Sequence, residues 1–159
     1  MTRLPRDPDF EQRVRSSFER QAVMAALGAT LVRVAPGEVV IALPFRPELT
    51  QQHGFLHAGV VTAVMDSACG YAALSLMEPG AAVLSIEFKV NLLAPARGDR
   101  FHASGRVVRA GRVVTVVAGE FRAVGPAGEG PHENDTSAAA VAIMTGTMMA
   151  VRDRPGLVD

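Results

Sequence analysis

Cysteine is nearly absent from this sequence, which has Cys69 alone among 159 residues. One cysteine cannot form a disulfide framework within the chain, so a reducing, cytoplasmic compartment is expected. An excess of either charge is absent too, because 16 basic residues balance 16 acidic ones and no segment is a basic block. This balance argues against a general nucleic-acid partner or an anionic-membrane partner. The first ten residues lack an apolar core, so we expect no signal peptide.

The length of the chain allows one domain with a real core and is too short for two ordinary ones. We therefore expect residues 1–159 to form a single domain with its core at about 27–151. An apolar content of 48% and a charged content of 20% are typical of a soluble globular protein. Residues 125–137, rich in Gly, Pro and acidic residues, are expected to form an exposed loop insertion.

The most apolar stretch runs from Gln51 to Met77, with the sequence QQHGFLHAGVVTAVMDSACGYAALSLM. It opens as a loop and continues as about five turns of nearly continuous apolar helix, which predicts a buried central helix that ends at Pro79 and Gly80. A bilayer span is rejected, because Asp66 at the centre would be costly in lipid and the rest of the chain alternates like strands.

The pattern around this helix predicts one N-terminal helix and six strands. From Ala81 the period becomes two, which predicts a strand with one apolar face and one polar face, ending before Pro95. Hairpin turns link the later strands, so we expect a mainly antiparallel sheet and an α+β architecture. The expected N-terminal helix is Asp9–Leu27, and the other expected strands are Thr30–Ala35, Glu38–Pro44, Arg100–Arg109, Arg112–Ala123 and Ala138–Val151.

Asp66 is the residue most in need of a reason, since a carboxylate is rarely buried without a partner. One interpretation is structural: the carboxylate binds a backbone group or an arginine. The other is a base or nucleophile placed in a dry cleft. Small residues at helical spacing surround Asp66 and leave room for a ligand or another helix, and they are Gly59, Ala63, Gly70 and Ala73.

The start of the central helix is a second candidate feature. Ala58 and Gly59 are expected to present free backbone N–H groups at the positive end of the helix dipole, an arrangement that stabilises an oxyanion. His57 is expected to shape this entry by hydrogen-bonding the loop. We expect no metal at His53 and His57, because no nearby Cys or acidic cluster supplies further ligands. Cys69 is expected in the core, with no base beside it.

These residues together form a known pattern. The order Gln51…Gly54-x-x-His57-Ala58-Gly59-x6-Asp66, followed by VLSIEFKVNLLAPARGD from Val83, resembles the hotdog-fold acyl-CoA thioesterases. It is most similar to the PaaI-like proteins of the 4-hydroxybenzoyl-CoA thioesterase superfamily. The resemblance covers about Leu27 to Ala123, and it implies a hotdog fold, in which a six-stranded sheet wraps the long central helix.

The resemblance also implies roles for particular residues. Asp66 matches the catalytic carboxylate, and the Ala58 N–H matches the oxyanion contact. Gln51 matches the Asn or Gln that places water or substrate, and Ser85 matches a Ser or Thr that assists the carboxylate in some members. Two positions depart from the family pattern: Ala58 replaces a Gly, and Gln51 stands where the closest relatives more often have Asn. The expected substrate contacts are Gly54, His57 and Gly59, with Arg97, Arg109 and Arg112 as candidate contacts to CoA phosphates.

The expected function is therefore hydrolysis of an acyl-CoA thioester, with no metal and no bound cofactor. Two alternatives remain: a non-catalytic acyl-CoA-binding regulatory module, and a hotdog dehydratase or hydratase. Ala58 and Asp66 are eight residues apart on one helix, about 12 Å along its axis. One chain cannot easily bring both groups to one carbonyl, so we expect an obligate homodimer with shared sites, and a dimer of dimers as a further assembly.

Overall fold

The computed structural model describes residues 4–124 and 140–157, so the predicted loop insertion at 125–137 lies outside the described residues. From the first strand onward, the predicted order of two strands, long helix and four strands is confirmed. A short 3-10 helix at Pro47–Leu49 precedes the long helix. The other elements are α1 (Phe10–Arg20), α2 (Ala22–Leu27), β1 (Thr30–Ala35), β2 (Glu38–Pro44), α3 (Ala58–Leu74), β3 (Ala82–Leu92), β4 (Arg100–Ala110), β5 (Val114–Val124) and β6 (Ala140–Val151).

The N-terminal segment is two helices, so the prediction of one continuous helix is wrong. The break lies at Gln21, whose backbone is extended with φ −81° and ψ 92°. No proline or glycine marks this position in the sequence. Contacts with α3 account for the break: Arg13 of α1 binds the C-terminal end of α3, and the Gln21 side chain binds Ser67 in the middle of that helix.

The six strands form one sheet in the order β1-β2-β4-β5-β6-β3. Every neighbouring pair is antiparallel, which confirms the predicted sheet. Because the chain crosses the sheet through α3, β3 lies at the far edge, where it pairs with β6 within the described part of the chain. An edge strand is a template for pairing with another strand.

The central helix lies close to the sheet because two glycines face each other beneath it. Gly105 of β4 pairs with Gly119 of β5. A Cβ atom on Gly105 would lie 2.3 Å from the Ala68 carbonyl oxygen, and one on Gly119 would lie 2.8 Å from the Cys69 sulfur. These positions therefore require glycine for close packing of the helix backbone on the sheet.

The last turn of α3 ends at Leu74, before the Pro79–Gly80 turn that was predicted to end it. The Arg13 guanidinium reaches this end from α1. It donates hydrogen bonds to the carbonyl oxygens of Leu74, Met77 and Glu78 at 3.1, 2.8 and 2.6 Å. This half-buried cation thus binds carbonyl groups at the end of α3 and just beyond it, and it complements the helix dipole.

One face of α3 is not covered by the described residues, so the prediction of a helix buried on every side is wrong for this face within the described structure. The sheet covers the opposite face, and Ala73, predicted to lie beside Asp66, is fully buried in the core. The uncovered face carries small and polar side chains, namely Gly59, Thr62, Ala63, Asp66 and Gly70. None of the helices within the described ranges has both the length and the hydropathy to cross a membrane.

Candidate active site

Asp66 opens from the uncovered face of α3 onto a cavity of about 300 Å³. The Ser85 hydroxyl donates a hydrogen bond to Asp66 Oδ1 at 2.7 Å. The structural interpretation of Asp66 required an arginine or a backbone group as its partner. Neither binds this carboxylate among the described residues. A carboxylate held by one neutral donor and open to a cavity has the arrangement of a base or nucleophile. The cavity lining is Gln21, Asp66, Ser67, Gly70, Tyr71, Val83, Leu84 and Ser85.

A β-bulge turns Ser85 toward this carboxylate. Strict alternation was predicted to place Ser85 and Glu87 together on the polar face of β3, but the register shifts between them. Ser85 lies opposite Met148 and Phe88 lies opposite Gly146, two residues away on β6. Directly opposed residues share a face, so Ser85 and Phe88 both face α3 although they are three residues apart. Bulges near active sites often redirect a side chain in this way.

The start of α3 leaves one backbone donor available. His57 is the N-cap, and its Nδ1 accepts the Gly59 N–H at 2.9 Å. The prediction of two free N–H groups is therefore wrong for Gly59. The Ala58 N–H has no hydrogen-bond partner within the part of the chain that the structure describes. It is thus the group at this helix end that a developing oxyanion can use.

A second cavity, of about 460 Å³, lies against this helix start. Gln51 lines it together with Ala58, and the Gln51 side-chain oxygen accepts the His53 backbone N–H. Gly54 forms the turn after Gln51 with a φ of 79°, a conformation that favours glycine. The cavity has apolar walls, formed by Phe55, Leu56, Val61, Leu92, Leu93, Ala94, Pro95, Ala96 and Val141. It shares no lining residue with the Asp66 cavity.

The sequence and the fold of this chain match those of known proteins. Residues 53–128 match the family model described as the thioesterase superfamily. A crystal structure of a thioesterase family protein from Silicibacter pomeroyi has 50% sequence identity and a TM-score of 0.81, covering 90% of this chain and 98% of that one. The chain belongs to the thioesterase superfamily.

Two further proteins are similar to this chain, one in fold and one in sequence. The PaaI protein from the phenylacetic acid degradation operon of E. coli has a TM-score of 0.76 at 20% identity, covering 94% of this chain and 96% of that one, and it shows the fold alone. Human acyl-coenzyme A thioesterase 13 is 29% identical over 86 residues, which are 54% of this chain and 61% of the human protein. The expected hotdog fold is confirmed, and the protein is a thioester hydrolase.

The single cysteine of this thioesterase is a core residue. Burial, and then the nearby Asp66 carboxylate, raise the pKa of the Cys69 thiol to about 12. A thiol with this pKa is protonated at neutral pH and is a poor nucleophile. Within residues 4–124 and 140–157, no group of three or more His, Cys, Asp or Glu side chains is placed to hold a metal ion.

The three candidate arginines of the thioesterase lie in different places. The Arg97 guanidinium stacks over the Phe55 ring at 4.5 Å, and Phe55 lines the cavity at the helix start. Arg109 lies near the end of β4 and Arg112 in the turn that follows it. Neither of these two lines the Asp66 cavity or the cavity at the helix start. The structure therefore associates one arginine of the three with a cavity.

Sequence reasoning missed Gln21, which lines the Asp66 cavity from the break between α1 and α2. No motif marks this residue, and it is far from Asp66 along the chain. The sequence gives no local signal, because glutamine is a good helix former and this position becomes an N-cap in the structure. Glutamine is not among the residues preferred there.

Proposed function

We propose that this thioesterase hydrolyses acyl-CoA thioesters and that Asp66 carries the reaction. The observation that supports this most directly is the Asp66 carboxylate, oriented by Ser85 at 2.7 Å and open to a cavity. The name of the human relative, an acyl-coenzyme A thioesterase, supports CoA as the leaving group. The buried, protonated Cys69 offers no competing nucleophile.

The carboxylate can act in two ways. As a general base, Asp66 takes a proton from water while the water oxygen adds to the thioester carbonyl. As a nucleophile, Asp66 attacks the carbonyl itself and forms an anhydride, which water then hydrolyses. In both routes the C–S bond breaks and CoA leaves as a thiolate that takes up a proton. The carbonyl oxygen gains negative charge in both, and the Ala58 N–H is the proposed donor to it.

The complete site is proposed to form between two copies of the chain. Ala58 and Gln51 line one cavity, whereas Asp66 and Ser85 line another, and about 12 Å of helix separates Ala58 from Asp66. A two-fold axis that brings two α3 helices together would place Ala58 and Gln51 of one subunit against the Asp66 side of the other.

The surface next to α3 supports a second copy as the partner. Phe88 and Leu92 of β3 lie on the side of the sheet that faces the helix, yet they are 42% and 54% exposed. They lie on the edge strand of the sheet, so a second copy of this strand and of the uncovered α3 face would bury them. We propose an obligate homodimer on this basis.

Arg97 is the proposed contact to a CoA phosphate, because its guanidinium lies beside the cavity at the helix start. Arg109 and Arg112 remain weaker candidates, since they line neither cavity. A cytoplasmic location is proposed with the CoA substrate, and the single buried cysteine is consistent with a reducing compartment.

The deciding experiment is a thiol-release assay across a panel of acyl-CoAs, with wild type and Asp66→Asn. We expect turnover of at least one acyl-CoA and a loss of at least about 10²-fold in the variant. Asp99→Asn, a change at an exposed acidic residue, is the matched control and should keep wild-type turnover. Acyl-CoA binding without thiol release would favour the regulatory module, and hydration of enoyl thioesters would favour the hydratase. Near wild-type turnover by folded Asp66→Asn would refute the mechanism.

A further inference from the structure

Gln21 has a backbone role that does not use its side chain. It is the N-cap of α2, where its carbonyl oxygen accepts the Met24 and Ala25 N–H groups, at 3.0 and 3.4 Å. Its side chain makes no capping hydrogen bond. The amide is therefore free to act elsewhere, and the extended backbone at this residue directs it to the wall of the Asp66 cavity.

The Ser67 hydroxyl fixes the orientation of this amide. Ser67 is buried on α3, next to Asp66 in the sequence, and its Oγ donates a hydrogen bond to Gln21 Oε1 at 3.1 Å. One of the two lone pairs of the amide oxygen is thus used. The Nε2 group has no hydrogen-bond partner among residues 4–124 and 140–157. Gln21 consequently offers an unused donor at the cavity that it lines.

This donor is better matched to the substrate than to the attacking water. Asp66 holds the attacking water by accepting one of its protons, so the water does not need the Gln21 donor to be placed. A carbonyl, hydroxyl or ether oxygen on the substrate loses nothing by accepting this bond. The reacting carbonyl has to lie beside Asp66, so the acyl group attached to that carbonyl is the part of the substrate closest to this cavity.

We propose that Gln21 determines acyl specificity by donating a hydrogen bond from Nε2 to an oxygen atom carried by the acyl group. This inference rests on the proposed function of Asp66 in the same cavity. The enzyme should therefore prefer acyl groups that carry a hydroxyl or oxo oxygen over hydrocarbon acyl groups of the same length. A donor that a bound hydrocarbon acyl group would cover and leave unpaired supplies the discrimination.

The test compares matched substrates. The hydrocarbon acyl-CoA that the wild type hydrolyses best is paired with its hydroxy and oxo derivatives, substituted in turn at each carbon beyond the α position. We expect wild type to favour at least one oxygenated partner in kcat/KM, and Gln21→Met to reduce that preference by about two- to tenfold. Gln21→Glu keeps the oxygen that accepts from Ser67 but loses the donor, so it should also lose the preference.

Controls separate this role from a general effect on folding. Gln12→Leu removes an exposed glutamine from α1 and should leave the preference unchanged. Ser67→Ala releases the amide, so it should weaken the preference without abolishing turnover. Circular dichroism and gel filtration check that each variant folds and assembles like wild type.

Three results would overturn the proposal. The first is an equal loss of kcat/KM for every acyl-CoA in Gln21→Met, which would assign the contact to the pantetheine amides that all CoA thioesters share. The second is an unchanged preference in both Gln21 variants, and the third is no preference in wild type. All three presuppose Asp66-dependent turnover. If no acyl-CoA is hydrolysed, or if Asp66→Asn remains active, the proposed function itself fails, so the two failures are distinguishable.

Discussion

The Ser85 hydroxyl on β3 and the Asp66 carboxylate on α3 are joined by a 2.7 Å hydrogen bond, and a bulge in β3 makes it possible. Ser85→Ala should remove one solvent-exposed hydrogen bond from a neutral donor to the carboxylate, worth about 0.5–1.5 kcal/mol, and reduce kcat/KM by about two- to tenfold. Ser104→Ala, which removes a hydroxyl on β4 bonded to the Glu120 carbonyl, is the matched control and should retain full activity.

Gln51→Ala should also be a partial defect of similar size, because Gln51 lines the cavity at the helix start with Ala58. Its exposed neighbour Gln52 does not line that cavity, so Gln52→Ala is the natural comparison. Both variants are measured in the same thiol-release assay as Asp66→Asn. Full activity in both Ser85→Ala and Gln51→Ala would mean that the roles implied by the family resemblance do not apply at these positions.

We expect that Cys69 is not needed for turnover and that it reacts slowly with alkylating reagents in the native protein. Burial and the Asp66 carboxylate raise its pKa to about 12, so native protein at pH 7.5 should react with iodoacetamide far more slowly than denatured protein. Mass spectrometry of the alkylated chain measures the difference. Cys69→Ala should retain turnover. Rapid labelling of the folded enzyme together with loss of activity would contradict this.

Much of this fold was predictable because the hydrophobic period changes from helical to two after the central helix. The break at Gln21 was not predictable, since the apolar spacing continues from Phe18 into α2 and no proline or glycine interrupts it. Contacts of Arg13 and Gln21 with α3 cause it, and residues on α3 are distant in the sequence. The position of β3 at the edge beside β6 is likewise a product of long-range pairing.

Some features of the candidate site were likewise predictable from the sequence, and others were not. Asp66 was identifiable because an acidic residue in an apolar helix is anomalous by itself. The bulge that turns Ser85 inward leaves no local signal, since the sequence of β3 alternates without interruption. The Gly59 N–H was expected to be free, but His57 caps it, and only side-chain geometry decides this.

Gly105, which lies directly under α3, should matter more for stability than Gly146, which has more space around it. Gly105→Ala brings a Cβ to 2.3 Å from the Ala68 backbone oxygen, whereas Gly146→Ala brings one to 3.3 Å from the Glu87 oxygen. We expect Gly105→Ala to lower the free energy of unfolding by about 1–3 kcal/mol and Gly146→Ala to cost less. Denaturant unfolding measures both. Equal stability of the two variants would rule out the close packing as the reason for Gly105.

Gly119 allows a rescue experiment on the same packing. Its added Cβ would meet the Cys69 sulfur at 2.8 Å, so Gly119→Ala should destabilise the fold. Removing that sulfur in the Gly119→Ala, Cys69→Ala double variant should restore part of the lost stability, because the two changes share one contact. Strictly additive losses would show that the sulfur is not the obstacle.

The last prediction concerns the shared site, and it uses two defects that lie on opposite sides of it. Asp66→Ala removes the carboxylate, and Ala58→Pro deletes the backbone N–H at the first residue of α3, where proline is tolerated. Each variant alone should be inactive or nearly so. In a mixed dimer, one site combines the intact Ala58 of one subunit with the intact Asp66 of the other, and the second site carries both defects.

Co-expression with random pairing makes about half of the dimers mixed, so about a quarter of wild-type activity should return. Two different affinity tags allow tandem purification of mixed dimers alone, and these should show about half of wild-type activity per dimer. The physical reason is the distance of about 12 Å between Ala58 and Asp66 on one helix, which exceeds what one thioester carbonyl can span. Mixed dimers that are confirmed by both tags and remain inactive would show that each site is built within one chain.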